Sequence, residues 1–131
     1  MARLVGADAA QLLGELIAYP EDGAVKALFL EALLELPRIS GVQVAPESHG
    51  VMRALGVYRG DAWCYSIAPT KSWLKVWLRP PELSSRLHIA EQFRSAFVDT
   101  DDPKSGALTT KLVDRDGLLR LLYLIGKNRN P

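Results

Sequence analysis

The sequence predicts a single α+β domain built on a mainly antiparallel sheet of four or five strands, and three observations lead there. Residues 1–37 carry two helical stripes of apolar residues. Three runs of about eight residues between Val51 and Arg79 are separated by pairs of turn-type residues. After Pro80-Pro81 comes a helical pattern, then a short alternating run, then a last helical pattern. The element order reads α-α-(β)-β-β-β-α-β-α. A chain of 131 residues matches one ordinary domain. It divides into a helical pair at 1–37, the sheet with two helices at 38–126, and a basic tail at 127–131.

The first helix rests on Leu12, Leu13, Leu16 and Ile17 at helical spacing and stops at Tyr19-Pro20. Asp22 is placed to cap the second, whose stripe is Val25, Leu28, Phe29, Ala32, Leu33 and Leu36, closed by Pro37. Ala27, Leu30 and Leu34 widen that stripe, which predicts burial on more than one side and suits a dimer interface equally well. Gly41 to Pro46 is short and β-branched, an edge strand or extended entry that Pro46 ends. Val51–Arg59, Ala62–Pro69 and Ser72–Arg79 follow, joined by Gly60-Asp61 and by Thr70-Lys71 or a longer loop starting at Pro69. A helix from Glu82 to Phe97 is expected to use Leu83, Leu87, Ala90, Phe93 and Phe97. Ala107–Val113 reads as the next strand. Asp114 or Asp116 caps a last helix built on Leu118, Leu121, Leu122 and Ile125, which Gly126 stops.

Composition narrows the function classes. At 48% hydrophobic and 24% charged residues, the chain is neither disordered nor collagen-like nor a coiled coil. Sixteen Lys+Arg against fifteen Asp+Glu leave a net charge of +1, so affinity for nucleic acid would need clustered cations. No apolar run is long enough to span a bilayer, and the first residues lack a secretory pattern, so no membrane association and a cytoplasmic location are expected. Cys64 is the only cysteine and closes no internal disulfide.

Two-residue turns at 60–61 and 70–71 sort the meander into two faces. One collects Met52, Ala54, Tyr58, Trp63, Tyr65, Ile67, Leu74, Val76 and Leu78, an uncharged core face. The other collects Arg53, Leu55, Val57, Arg59, Cys64, Ser66, Trp73, Lys75, Trp77 and Arg79. Aromatic rings stack on unpaired bases while Lys and Arg neutralise phosphates, which makes this face a platform for single-stranded nucleic acid. Trp and Arg also dominate protein interfaces, so a protein partner fits the same face. In a third arrangement the N-terminal helices cover it and the basic stems pack alongside. The expected binding residues are Trp73, Lys75, Trp77, Arg79, Arg53 and Arg59, and a protein partner leads because the net charge is small.

Signals for chemistry are few. Asp99, Asp101 and Asp102 lack the further ligands of a calcium loop, and His49 and His88 have no metal-ligand spacing, so no metal site is expected. Cys64 reads as a packed thiol, with a Cys64/His49 nucleophile pair as the enzymatic alternative. No phosphate loop, dinucleotide fingerprint or nucleophile elbow occurs, so neither a cofactor, a small-molecule substrate nor catalysis is expected.

Local strings add a resemblance. Val42-Gln43-Val44 leads to Gly56-Val57-Tyr58-Arg59, and Tyr65 to Leu78 runs Tyr-Ser-Ile-Ala-Pro-Thr-Lys-Ser-Trp-Leu-Lys-Val-Trp-Leu. Asp102-Pro103, Leu112-Val113, Leu121 and Ile125 follow. With this order of elements, Val42 to Ile125 resembles a family of small uncharacterised domains found alone or at the ends of restriction- and defence-associated proteins, loosely labelled predicted transport proteins. The resemblance implies a compact accessory or recognition domain of bacteria or phages rather than an enzyme, and it carries no catalytic residues. A second likeness, through the meander, is to small double-wing DNA-binding proteins.

Overall fold

In a computed structural model, which describes residues 6–49, 52–102 and 106–127, the chain is α+β with one sheet and five α-helices. Helix α1 (Gly6–Ala18) buries Leu12 and Leu16. Helix α2 (Gly23–Glu35) starts at Asp22, whose carboxylate accepts a hydrogen bond from the Ala24 amide at 2.8 Å. It buries Val25, Leu28, Phe29 and Ala32 and runs into a short 3-10 turn at Leu36–Arg38 that accommodates Pro37. Leu30 and Leu34 face solvent, so burial is on one side only, against the expectation of a wider buried surface.

The strands are β1 (Val42–His49), β2 (Met52–Arg59), β3 (Ala62–Pro69), β4 (Leu74–Leu78) and β5 (Leu108–Leu112). They lie in the order β1-β2-β3-β4-β5, and every neighbouring pair is antiparallel. Strand β1 passes through Pro46 instead of ending there. An edge strand tolerates this, since its outward amide has no ladder to join. The β2–β3 turn is the expected Gly60-Asp61, with Gly60 at φ +61° and the pairs Arg59↔Ala62 and Tyr58↔Trp63.

Two departures reset the register. Cys64 is an extra residue in β3, so Val57 pairs with Tyr65 and not with Cys64. Such a bulge turns Trp63 to one side while Cys64 and Tyr65 pack into the core on the other. The β3–β4 connection runs from Thr70 to Trp73. The Thr70 amide donates to the Trp73 carbonyl at 2.8 Å, and its hydroxyl accepts from the Trp73 amide at 3.0 Å. Tyr65 therefore pairs with Leu78 instead of Val76. That shift is even and leaves β4's two faces as expected.

The expected single helix after Pro80 is two: α3 (Pro80–Ser85) and α4 (Ile89–Ala96). They are separated at His88, which sits in the left-handed region at φ 68°. The break restarts the apolar stripe at Ile89 and Phe93, so Leu87, expected in the core, is exposed. Strand β5 then joins β4, and α5 (Arg115–Lys127) is capped by the Asp114 carboxylate, which accepts from the Gly117 amide at 3.0 Å. Helix α5 continues through Gly126 to Lys127, and residues 128–131 of the expected tail lie outside the described residues.

All five helices lie on the same side of the sheet. Leu12, Leu16, Phe29, Phe93, Leu118 and Leu121 form one cluster with Leu55, Val57, Tyr65, Ile67, Leu74, Val76 and Leu78. Helix α3 joins it through Leu83. Burying each large side chain there contributes about 1.5–3 kcal/mol, which holds the two layers together. The N-terminal pair thus shares a face with α4 and α5, which corrects the arrangement in which it covers the second face. No described helix is long and apolar enough to cross a membrane.

Candidate functional site

The second face of the sheet carries no helix among the described residues. Its side chains follow from the register: Gln43, Ala45 and Glu47 on β1, Ala54, Gly56 and Tyr58 on β2, Trp63, Ser66 and Ala68 on β3, Lys75 and Trp77 on β4, Thr109 and Lys111 on β5. Small residues in the middle let long ones lie flat. Tyr58 and Trp63 stack with ring centroids 6.0 Å apart, and the Trp63 indole donates to the Tyr65 carbonyl at 2.9 Å. Glu47, 2% exposed, accepts a hydrogen bond from the Tyr58 hydroxyl. Gly56 makes room beneath them, for a Cβ there would stand 2.9 Å from Glu47 Cγ and from Tyr58 Cε1. Arg79, just beyond β4, spreads its guanidinium 3.9 Å above the Trp63 ring and donates to the Trp63 carbonyl at 2.7 Å. Burial lowers the Arg79 pKa from its usual value, against the pull of Tyr58, Cys64 and Glu47.

Beside this packed half lies an open one. Trp77 is half-buried with the Lys75 ammonium 5.0 Å from its ring centre. Trp73, in the β3–β4 connection, is half-buried with the Lys111 ammonium 4.3 Å from its ring centre. Lys75 and Lys111 are direct cross-strand partners, both exposed. Like charges so placed destabilise a sheet. Among the described residues neither has a carboxylate within ion-pair distance. Of the fifteen Asp and Glu, Glu47 alone lies within a strand. The remaining carboxylates belong to helices, turns and loops, so the sheet itself is nearly free of negative charge.

The structure divides the expected binding residues. Trp73, Lys75, Trp77 and Arg79 come together on the uncovered side. Arg53 and Arg59 do not join them, because the Cys64 bulge puts Leu55 and Val57, and with them both arginines, on the helix side. Arg53 pairs with Glu15 of α1 at 2.5 Å. Arg59 holds Glu82, which is 0% exposed, by three contacts of 3.1–3.3 Å and donates to the Ile125 carbonyl at 2.6 Å. Glu82 also accepts from the Tyr65 hydroxyl at 2.8 Å and lies 3.5 Å from Arg86. The group ties α3, β2, β3 and the end of α5 together. Burial opposes the Arg59 charge, yet the Glu82 hydrogen bond and charge raise its pKa above the usual value.

Conversely, Ala54, Tyr58 and Trp63, expected in the core, belong to the uncovered face. The sequence reading missed Lys111, whose signal was the alternation Leu108-Thr109-Thr110-Lys111-Leu112 next to a strand of matching pattern. Cys64 is buried, and burial, then Glu82, push its thiol up to about 11. His49 lies on β1. Asp99, Asp101 and Asp102 are exposed, and among the described residues no three His, Cys, Asp or Glu side chains form a metal-holding group. Compared with protein-family models, with curated proteins and with solved structures, the chain shows no match.

Proposed function

We propose that this chain is a macromolecular recognition domain and that the uncovered sheet face is where it docks an anionic partner. One observation carries the reading: the five helices all pack on one side, leaving Lys75 and Lys111 beside Trp77 and Trp73, and Arg79 over Trp63, on the other, where the only strand carboxylate is buried against Tyr58. Clustered cations on a chain of net charge +1 supply a local field that the total conceals. An acidic protein segment is one class of such partner, since indole and guanidinium groups are the chemistry of interface hot spots. In that case the chain is an accessory or regulatory module; the bacterial or phage setting rests on the resemblance alone.

Retention on immobilised heparin tests the docking face. Lys75→Ala with Lys111→Ala should elute at clearly lower salt than the parent. Lys26→Ala with Arg38→Ala, on the helical layer, should elute close to it. Equal elution of both double variants overturns the assignment.

A further inference from the structure

Resting on that docking face, we propose that its occupant is single-stranded nucleic acid, with bases stacked on Trp73 and Trp77 and phosphates held by Lys75 and Lys111. Along the chain the order is indole, ammonium, indole at residues 73, 75 and 77, with a second ammonium opposite the first. Trp77 lies on β4 and Trp73 in the connection just before it, with Lys75 midway between them in the chain. A flexible strand of alternating bases and phosphates matches rings flanking charge.

The mechanism is an exchange already set up in the free protein. Each lysine now lies over an indole, 5.0 Å away for Lys75 on Trp77 and 4.3 Å for Lys111 on Trp73. A base that takes the ring face displaces the ammonium, which swings to the adjoining phosphate and loses its like-charged neighbour's repulsion. Arg79 stays on Trp63, holding the packed half of the face rigid.

An acidic peptide fits less well. Extended peptides are read by strand edges through main-chain hydrogen bonds. Here the β5 edge is taken by Asp101, paired to Thr109 through two bonds of 2.8 and 2.9 Å, and β1 carries Pro46 in mid-strand. The face offers a peptide side-chain contacts only, whereas stacked bases need no ladder. A duplex keeps its bases stacked on each other and cannot offer them to the indoles.

Tryptophan fluorescence, titrated with oligothymidine, a duplex of equal length and poly-glutamate over a range of salt, tests the proposal. Oligothymidine should quench and bind tightest, and the duplex and poly-glutamate should leave emission unchanged. Trp73→Ala with Trp77→Ala should weaken oligothymidine binding by about thirtyfold or more, two stacks being lost. Each lysine changed to Ala should flatten the plot of log affinity against log salt by about 0.7. Should the tryptophan variant lose its circular dichroism, Trp77→Phe and the lysine variants carry the same comparison. Poly-glutamate binding as tightly as oligothymidine, or duplex binding equally well, overturns the nucleic-acid assignment and leaves the docking face standing. No binding of any polyanion at low salt overturns both.

Discussion

Single positions decide whether the uncovered face can form. Gly56 is the clearest, because its missing side chain is the space that Glu47, Tyr58 and Trp63 occupy. Gly56→Ala should cost about 1–3 kcal/mol in urea unfolding, as overpacking does, with near-ultraviolet dichroism reporting displaced rings. On the helical side, Glu82→Gln removes the charge that Arg59, Arg86 and Tyr65 share. It should cost about 3–5 kcal/mol by the same measurement, since two half-buried guanidinium groups lose their counter-charge. Cys64 gives a pH test. Its thiol is raised from 9.0 to about 11 by burial first and by Glu82 second. Below 9.0 both folded and unfolded chains hold this proton. Between 9.0 and about 11 the unfolded chain loses it first, so stability should fall as pH rises through that window. Denaturation midpoints should fall less steeply there in Cys64→Ala. Of these three, only the packing of the Cys64 thiol was legible in the sequence; the roles of Gly56 and Glu82 depend on which residues the register brings together.

At the scale of elements, patterns with one period were legible and interruptions were not. Apolar spacing located α1, α2 and α5, and Gly60-Asp61 located a hairpin, since those signals are local. The Cys64 bulge and the break at His88 are tertiary compromises: one extra residue lets Trp63 and Tyr65 serve opposite faces, and one left-handed residue re-aims Phe93. The first moved Arg53 and Arg59 to the helical layer, while the second exposed Leu87. His88 has a side chain where glycine is the residue at ease. His88→Gly should therefore raise the thermal midpoint, by the equivalent of about 1 kcal/mol, and His88→Val should lower it.

For the molecule as a whole, what matters is that the five helices pack on one side of the sheet and leave Lys75 and Lys111 on the other. Half of the site could be read from Ser72–Arg79, because alternation alone separates Lys75 and Trp77 from Leu74, Val76 and Leu78. The other half needed the sheet order, which sets Lys111 against Lys75. That opposition gives a measurement free of any ligand. Lys75→Glu turns a repelling pair into an attracting one and should raise stability by several tenths of a kcal/mol while lowering the salt at which the chain leaves heparin. A variant that is firmer yet docks less well would show that the native lysine is kept for a purpose other than folding. The neighbour-to-neighbour wiring of the sheet also has a kinetic side. Strands β2, β3 and β4 each meet the partner made just before them, so those loop closures are short, whereas β5 joins β4 only across the segment that holds α3 and α4. The apolar underside closes only once α4 and α5, made last, pack beside α1 and α2, and until then the greasy side, not the one bearing Lys75, is what a nascent chain exposes to chaperones.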